Sequence, residues 1–184
     1  MKNYSNRTGF LRWVLKMQQY NIDGLIFDFP DGWKVSKYDD WSFYRNQFSK
    51  MWESIKAVDI LALDSSRLLW LIEVKDYRVY PRTKPSELSE EIARKVYDTL
   101  AALLPAKVNA NDSHEKIMAI AMLGCQQLHV ILHLEQPKQH SKLFPRAIDP
   151  ANIQQKIRKL LKPIDAHPRV VETTRMELLE WRVS

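Results

Sequence analysis

The sequence predicts an α/β domain, a mixed central sheet flanked by helices, and three observations carry that expectation. Two β-rich runs, residues 56–63 (KAVDILAL) and 68–75 (LLWLIEVK), sit either side of a short polar turn. A long amphipathic helix pattern follows them directly. A further apolar run, 128–134 (LHVILHL), then precedes a second amphipathic pattern that begins at Pro150. Strands alternating with helical patterns in one chain place helices against a sheet. With 184 residues and 45% apolar side chains, the chain can bury a sizeable core.

In chain order, residues 7–20 carry Phe10, Trp13, Val14 and Met17 at helical spacing. Residues 24–38 (GLIFDFPDGWKVSKY) read as strand, Pro-Asp-Gly turn and strand, a hairpin signal. Asp39 or Asp40 is placed to cap a helix from near Trp41, with Trp41, Tyr44, Phe48, Met51 and Trp52 as its apolar stripe. After the 56–63/68–75 hairpin, a helix begins near Ser86 or Ser89. It carries Leu88, Ile92, Val96, Leu100 and Leu103 inward, and Pro105 is expected to end it. Residues 113–123 form another helix closed by Gly124. The helix from Pro150 turns Ile153, Ile157, Leu160 and Leu161 inward, and short strands are expected at 169–174 and 181–183. The whole reads as one domain, 1–184, with a polar loop at 136–147 that could join a small C-terminal helical extension from about 136.

Composition narrows the function classes. Four glycines and no GxxxxGK[ST] or GxGxxG argue against a glycine-rich phosphate loop. A single cysteine, Cys125, excludes an internal disulfide and a thiolate zinc cluster, and reads as a buried structural thiol in a reducing cytoplasm. No apolar run is long enough to cross a bilayer, and the N-terminus lacks the features of a signal peptide, so no membrane association is expected. The net charge of +6, from 28 basic and 22 acidic residues, favours a polyanionic partner.

One constellation carries chemistry. Residues two apart on a strand share a face, so Glu73 and Lys75 point together while Val74 points away. A turn centred on Ser65-Ser66 sets Asp59 opposite residue 72 or 73, and a small register adjustment brings it beside Glu73. Charges inside such apolar runs are costly unless they pair or bind an ion. Two carboxylates suit a hard cation, so Asp59 and Glu73, with the Val74 carbonyl, are candidate ligands for Mg²⁺ or Mn²⁺. Lys75 is placed to orient or deprotonate a water, although neighbouring carboxylates would hold it charged.

The segment VDILALDSSRLLWLIEVKDYR, with Asp59 on one strand and Glu73-Val74-Lys75 on the next, resembles the core of the PD-(D/E)XK, or restriction-endonuclease-like, superfamily. Val58 stands where that pattern has proline. The resemblance implies a restriction-endonuclease-like mixed sheet flanked by helices. It also implies a divalent-metal-dependent nuclease acting on DNA, with Asp59, Glu73 and Lys75 as the catalytic set. An extra acidic residue is expected before Asp59, from Asp39, Asp40 or Glu53. A homodimer is a further family habit. The alternative is the same fold used only to bind nucleic acid or a protein, without turnover.

Other polar groups have plainer readings. Arg94 with Asp98, and Glu91 with Lys95, are i,i+4 pairs suited to surface salt bridges, though Arg94 and Lys95 could also meet nucleic acid. Arg78 and the late basic cluster, including Lys156 and Lys159, are further candidates for phosphate contact. His129 and His133 share a strand face and read as packed or hydrogen-bonded residues, not as a zinc pair.

Overall fold

A computed structural model describes residues 17–80, 82–84, 86–137, 148–176 and 179–184. Most of the helix expected at 7–20, including Trp13, and most of the loop at 136–147 lie outside these residues. The described part is α/β. A five-stranded sheet and a three-stranded sheet lie against each other, with helices on the outer face of the larger one.

The strands are β1 (Met17–Ile22), β2 (Leu25–Pro30), β3 (Lys34–Lys37), β4 (Ile60–Leu63), β5 (Leu68–Asp76), β6 (Gln127–Glu135), β7 (Arg169–Val171) and β8 (Arg182–Val183). The helices are α1 (Ser42–Asn46), α2 (Leu88–Asn109), α3 (Ser113–Leu123) and α4 (Pro150–Leu161). The large sheet runs β3-β4-β5-β6-β7, antiparallel through β5 and parallel thereafter. Parallel pairs need long crossovers, here supplied by α2 with α3, and then by α4. The small sheet runs β1-β2-β8.

The alternation along β5 sorts the two faces. Leu69 and Leu71 pack with Ile92, Val96 and Leu103 of α2, Met118 of α3, and Ile153 and Ile157 of α4. Trp70, Ile72 and Val74 pack with Phe27 and Phe29 of β2 and with Trp181. Glu73 and Lys75 therefore continue the helix-side row, by the period of two. On β4, Leu61 and Leu63 lie on that same side, which puts Asp59 there too. The second face is thus covered by a small sheet among the described residues.

Several local expectations need correction. Residues 17–20 are strand, because Asp23-Gly24 (φ 51° and 89°) turns β1 back onto β2, with Asn21 accepting a bond from the Gly24 N–H at 3.0 Å. The Pro30–Trp33 turn does not make a hairpin. β2 pairs with β1 and β8 while β3 pairs with β4, so Gly32 (φ 107°) passes the chain from one sheet to the other. The helix expected from Trp41 is a 3-10 turn at Tyr38–Asp40, then α1, then a 3-10 turn at Phe48–Lys50, and Met51 and Trp52 are left exposed. α2 runs through Pro105 to Asn109, with Ala102, Leu103 and Ala106 buried; packing outweighs the bond that proline forgoes. Leu160 faces outward, and the terminal strands shorten to Arg169–Val171 and Arg182–Val183, the latter in the small sheet. No helix among the described residues is long and apolar enough to cross a membrane.

Candidate functional site

The pairing Ile60↔Ile72, carried one residue on, sets Asp59 directly across from Glu73 without a bulge. Asp59 Oδ2 accepts a bond from the Val74 N–H at 2.6 Å, which anchors this carboxylate against β5. Its backbone carbonyl accepts from Tyr38 N at 3.0 Å, so the 3-10 turn carrying Asp39 is tied to the same point. Lys75 Nζ stands 2.5 Å from Glu73 Oε1. From the helix layer, Lys95 Nζ reaches 2.5 Å from the same oxygen and 3.5 Å from Asp59 Oδ1. Asp59, Glu73 and Lys75 meet in one place, and a second lysine closes over them.

One helical turn earlier, Glu91 forms a second node. It accepts from Arg82 Nη1 at 3.1 Å and Lys84 Nζ at 3.4 Å, and stands 3.9 Å from Lys75 Nζ. The expected Glu91–Lys95 surface pair is therefore wrong. The two side chains belong to different partners across the site, while Arg94 and Asp98 do form their i,i+4 pair at 3.2 Å. Glu91, Arg82 and Lys84 had no strand pattern to mark them. Their signal was Glu91 itself, one turn from Lys95 on the edge of the buried face of α2.

Burial sets the electrostatics. Glu73 is fully buried and its pKa is pushed up to about 7, first by burial and then by Asp59, against the pull of Lys75 and Lys95. Its Oε2 is buried with no hydrogen-bond partner among the described residues. Burial works against a charged Lys75, but the Glu73 carboxylate, its hydrogen bond and Asp59 outweigh that and raise the lysine pKa above its usual value. Lys75 is thus held as an ammonium donor, which removes the expected role of water base. Asp39 is raised as well, chiefly by burial and then by Asp59.

The remaining sequence candidates separate cleanly. Asp39 belongs near the site, with a buried Oδ1, whereas Asp40 is exposed and pairs with Lys37 and Arg45. Glu53 is exposed and outside the cluster. Arg78 folds back on its own Asp76, and Lys156 pairs with Glu87 at 3.0 Å. Lys159 is exposed on α4. His133 is fully buried, with Nε2 2.9 Å from Glu135 Oε1, and His129 stacks on Trp70 at 4.5 Å. Cys125 is half-buried, and burial raises its thiol pKa.

Among the described residues, no group of three or more His, Cys, Asp or Glu side chains is arranged to hold a metal ion. The space between Asp59 and Glu73 is bridged by the Lys95 ammonium, so the protein alone does not form a metal cage here. The metal-binding expectation is corrected accordingly.

Comparison with known proteins decides the direction of the functional reading. The chain is similar to part of a cysteine–tRNA ligase. That ligase, from Neisseria meningitidis serogroup A / serotype 4A (strain DSM 15465 / Z2491), is 35% identical over 159 residues, covering 70% of this chain and 23% of the ligase. The chain spans under a quarter of that relative's length. No family model matches the chain, and no solved structure matches it. The expectation of a metal-dependent DNA nuclease, and the hydrolase chemistry that went with it, is overturned by this relative, whose name places it with tRNA.

Proposed function

We propose that this chain is a tRNA-binding module, of the kind carried within a longer tRNA ligase, and that it holds RNA backbone at the Asp59–Glu73–Lys75–Lys95 site. The observation that carries this reading is the convergence of Lys75 and Lys95 on one buried carboxylate, in a chain similar to a tRNA ligase. Asp59 and Glu73 hold the two ammoniums at fixed positions. Each ammonium has three donors and spends only part of them on carboxylate, so donors remain for phosphate. The excess of six positive charges supports a polyanionic ligand.

The reading keeps the restriction-endonuclease-like fold as a proposal. It is supported by the antiparallel β3-β4-β5 run followed by parallel β6 and β7, with Asp59, Glu73 and Lys75 on β4 and β5 or at their ends. Mg²⁺, or Mn²⁺ alike, remains only as an ion carried in with the RNA phosphates. A cytoplasmic place of work belongs to the same proposal.

The test is a fluorescence-anisotropy titration of labelled tRNA and of a DNA duplex of matched charge, with wild type and Lys75→Gln. Wild type binds tRNA more tightly than the DNA. The variant loses tRNA affinity and lowers the slope of log K against log salt by about 0.7–0.9, one phosphate contact. Equal binding of tRNA by wild type and Lys75→Gln, at every salt concentration, refutes the site.

A further inference from the structure

Two loops border the site, and they present the same triplet to solvent. Residues 50–52 read Lys-Met-Trp and 78–80 read Arg-Val-Tyr, a cation, an aliphatic and an aromatic. The four apolar side chains are the most exposed large hydrophobics among the described residues: Met51 72%, Trp52 75%, Val79 74% and Tyr80 80%. Each loop thus leaves an adjacent pair of large apolar side chains in solvent, an arrangement suited to a contact surface.

The loops are held firmly at their bases. The first runs into Asp59 and is pinned to α2 by Lys56 N to Asp98 Oδ2 (2.9 Å) and Val58 N to Thr99 Oγ1 (3.1 Å). Tyr44 Oη donates to the Ile55 carbonyl at 3.3 Å. The second leaves the strand of Lys75 and is pinned by Tyr77 N to the Glu135 carbonyl (2.9 Å) and by Arg82 to Glu91 (3.1 Å). Glu91 and Asp98 are seven residues apart on α2, about 10 Å along its axis, and Lys95 lies between them. The anchored bases of the two loops therefore flank the lysine site, with Trp52 four residues before the Lys56 anchor and Tyr80 two residues before Arg82.

We infer that Trp52 and Tyr80 are stacking platforms for unpaired nucleotides, so that the RNA taken here is single-stranded, an unpaired end or loop, with its backbone at Lys75 and Lys95. This rests on the RNA reading above and names the part of the RNA it engages. Aromatic faces accept any base and cannot reach bases stacked within a duplex. The flanking Lys50 is exposed and suits an adjoining phosphate.

The experiment compares Trp52→Ala, Tyr80→Ala, Trp52→Phe and Lys75→Gln for binding to a single-stranded RNA, a blunt RNA duplex and an abasic strand with the same number of phosphates. Each alanine variant weakens single-stranded binding about 5- to 100-fold, Trp52→Phe recovers most of that loss, and wild type prefers the RNA to the abasic strand. Duplex binding is unchanged by the alanine variants. The inference is overturned if both alanine variants bind single-stranded RNA as wild type does while Lys75→Gln loses it, an outcome that leaves the RNA reading standing. It is also overturned if those variants alter only self-association in sedimentation, which would make the loops a protein interface. Absence of binding to every RNA removes both this inference and the reading beneath it.

Discussion

Replacing Lys95 by methionine keeps most of the side-chain volume and removes one charge from between two carboxylates. The gross attraction at 2.5 Å from Glu73 is about 7 kcal/mol for an effective dielectric of ~20, and desolvation of the ammonium cancels several kcal/mol of it. A net cost of about 3 kcal/mol at pH 8 is expected. The cost depends on pH, and its sign follows from Glu73. Its pKa is about 7 when folded against 4.5 ordinarily. The stability linked to its neutral form is therefore fully present below pH 4.5 and lost as pH rises through 7, about 3 kcal/mol in all. In Lys95→Met one of the two ammoniums that lower this pKa is gone, so the folded value rises further and the loss continues above pH 7. At pH 5.5 Glu73 is mostly protonated in both proteins, and the difference shrinks to the Lys95–Asp59 contact at 3.5 Å, about 1 kcal/mol. Urea denaturation at pH 5.5, 6.5, 7.5 and 8.5 measures this. A difference in unfolding free energy that stays constant across the series, or shrinks as pH rises, refutes the placement of Lys95 between the carboxylates.

Glu115 of α3 caps α1 from outside, accepting from Ser42 N at 2.6 Å and Phe43 N at 3.0 Å while itself buried. Glu115→Ala leaves two N–H groups unsatisfied and should cost about 2–3 kcal/mol in thermal or urea unfolding, with a loss under 0.5 kcal/mol contradicting the contact. Glu135 has a pKa of about 2: burial pushes it up, but hydrogen bonds from His133 and Thr173 outweigh that. Its contribution to stability is present above pH 4.5 and lost as pH falls toward 2, so Glu135→Gln should show a shallower decline of stability across that window, measured by circular dichroism. An unchanged slope would show that another carboxylate governs acid unfolding.

The site's geometry was legible because strands obey a period of two. The 56–63/68–75 hairpin, its polar turn and the shared face of Glu73 and Lys75 follow from local sequence, and β4 and β5 pair with the register that puts Asp59 across from Glu73. What the helix layer brings was not legible in the same way. Lys95 and Glu91 looked like a surface i,i+4 pair, since spacing on one helix says nothing of what lies opposite it. Their separation depends on the long-range packing of α2 over β5. The edge sheet was misread for a different reason. Asp23-Gly24 is a strong hairpin signal, yet the helical spacing upstream and the more conspicuous Pro30–Gly32 turn drew the pairing to the wrong neighbour. The proposed ligand came from outside the fold altogether: an Asp and a Glu-x-Lys on paired strands describe a charge cluster, and only similarity to part of a tRNA ligase turned the proposed partner from DNA to RNA.

The most direct measurement is photo-crosslinking of the protein to a tRNA carrying 4-thiouridine, with the crosslinked peptides mapped by mass spectrometry. The account predicts crosslinks in residues 50–58, residues 76–84 and the first half of α2 around Lys95. Crosslinks confined to the basic outer face of α4, at Lys156 and Lys159, or none with tRNA while duplex DNA is captured, would contradict it.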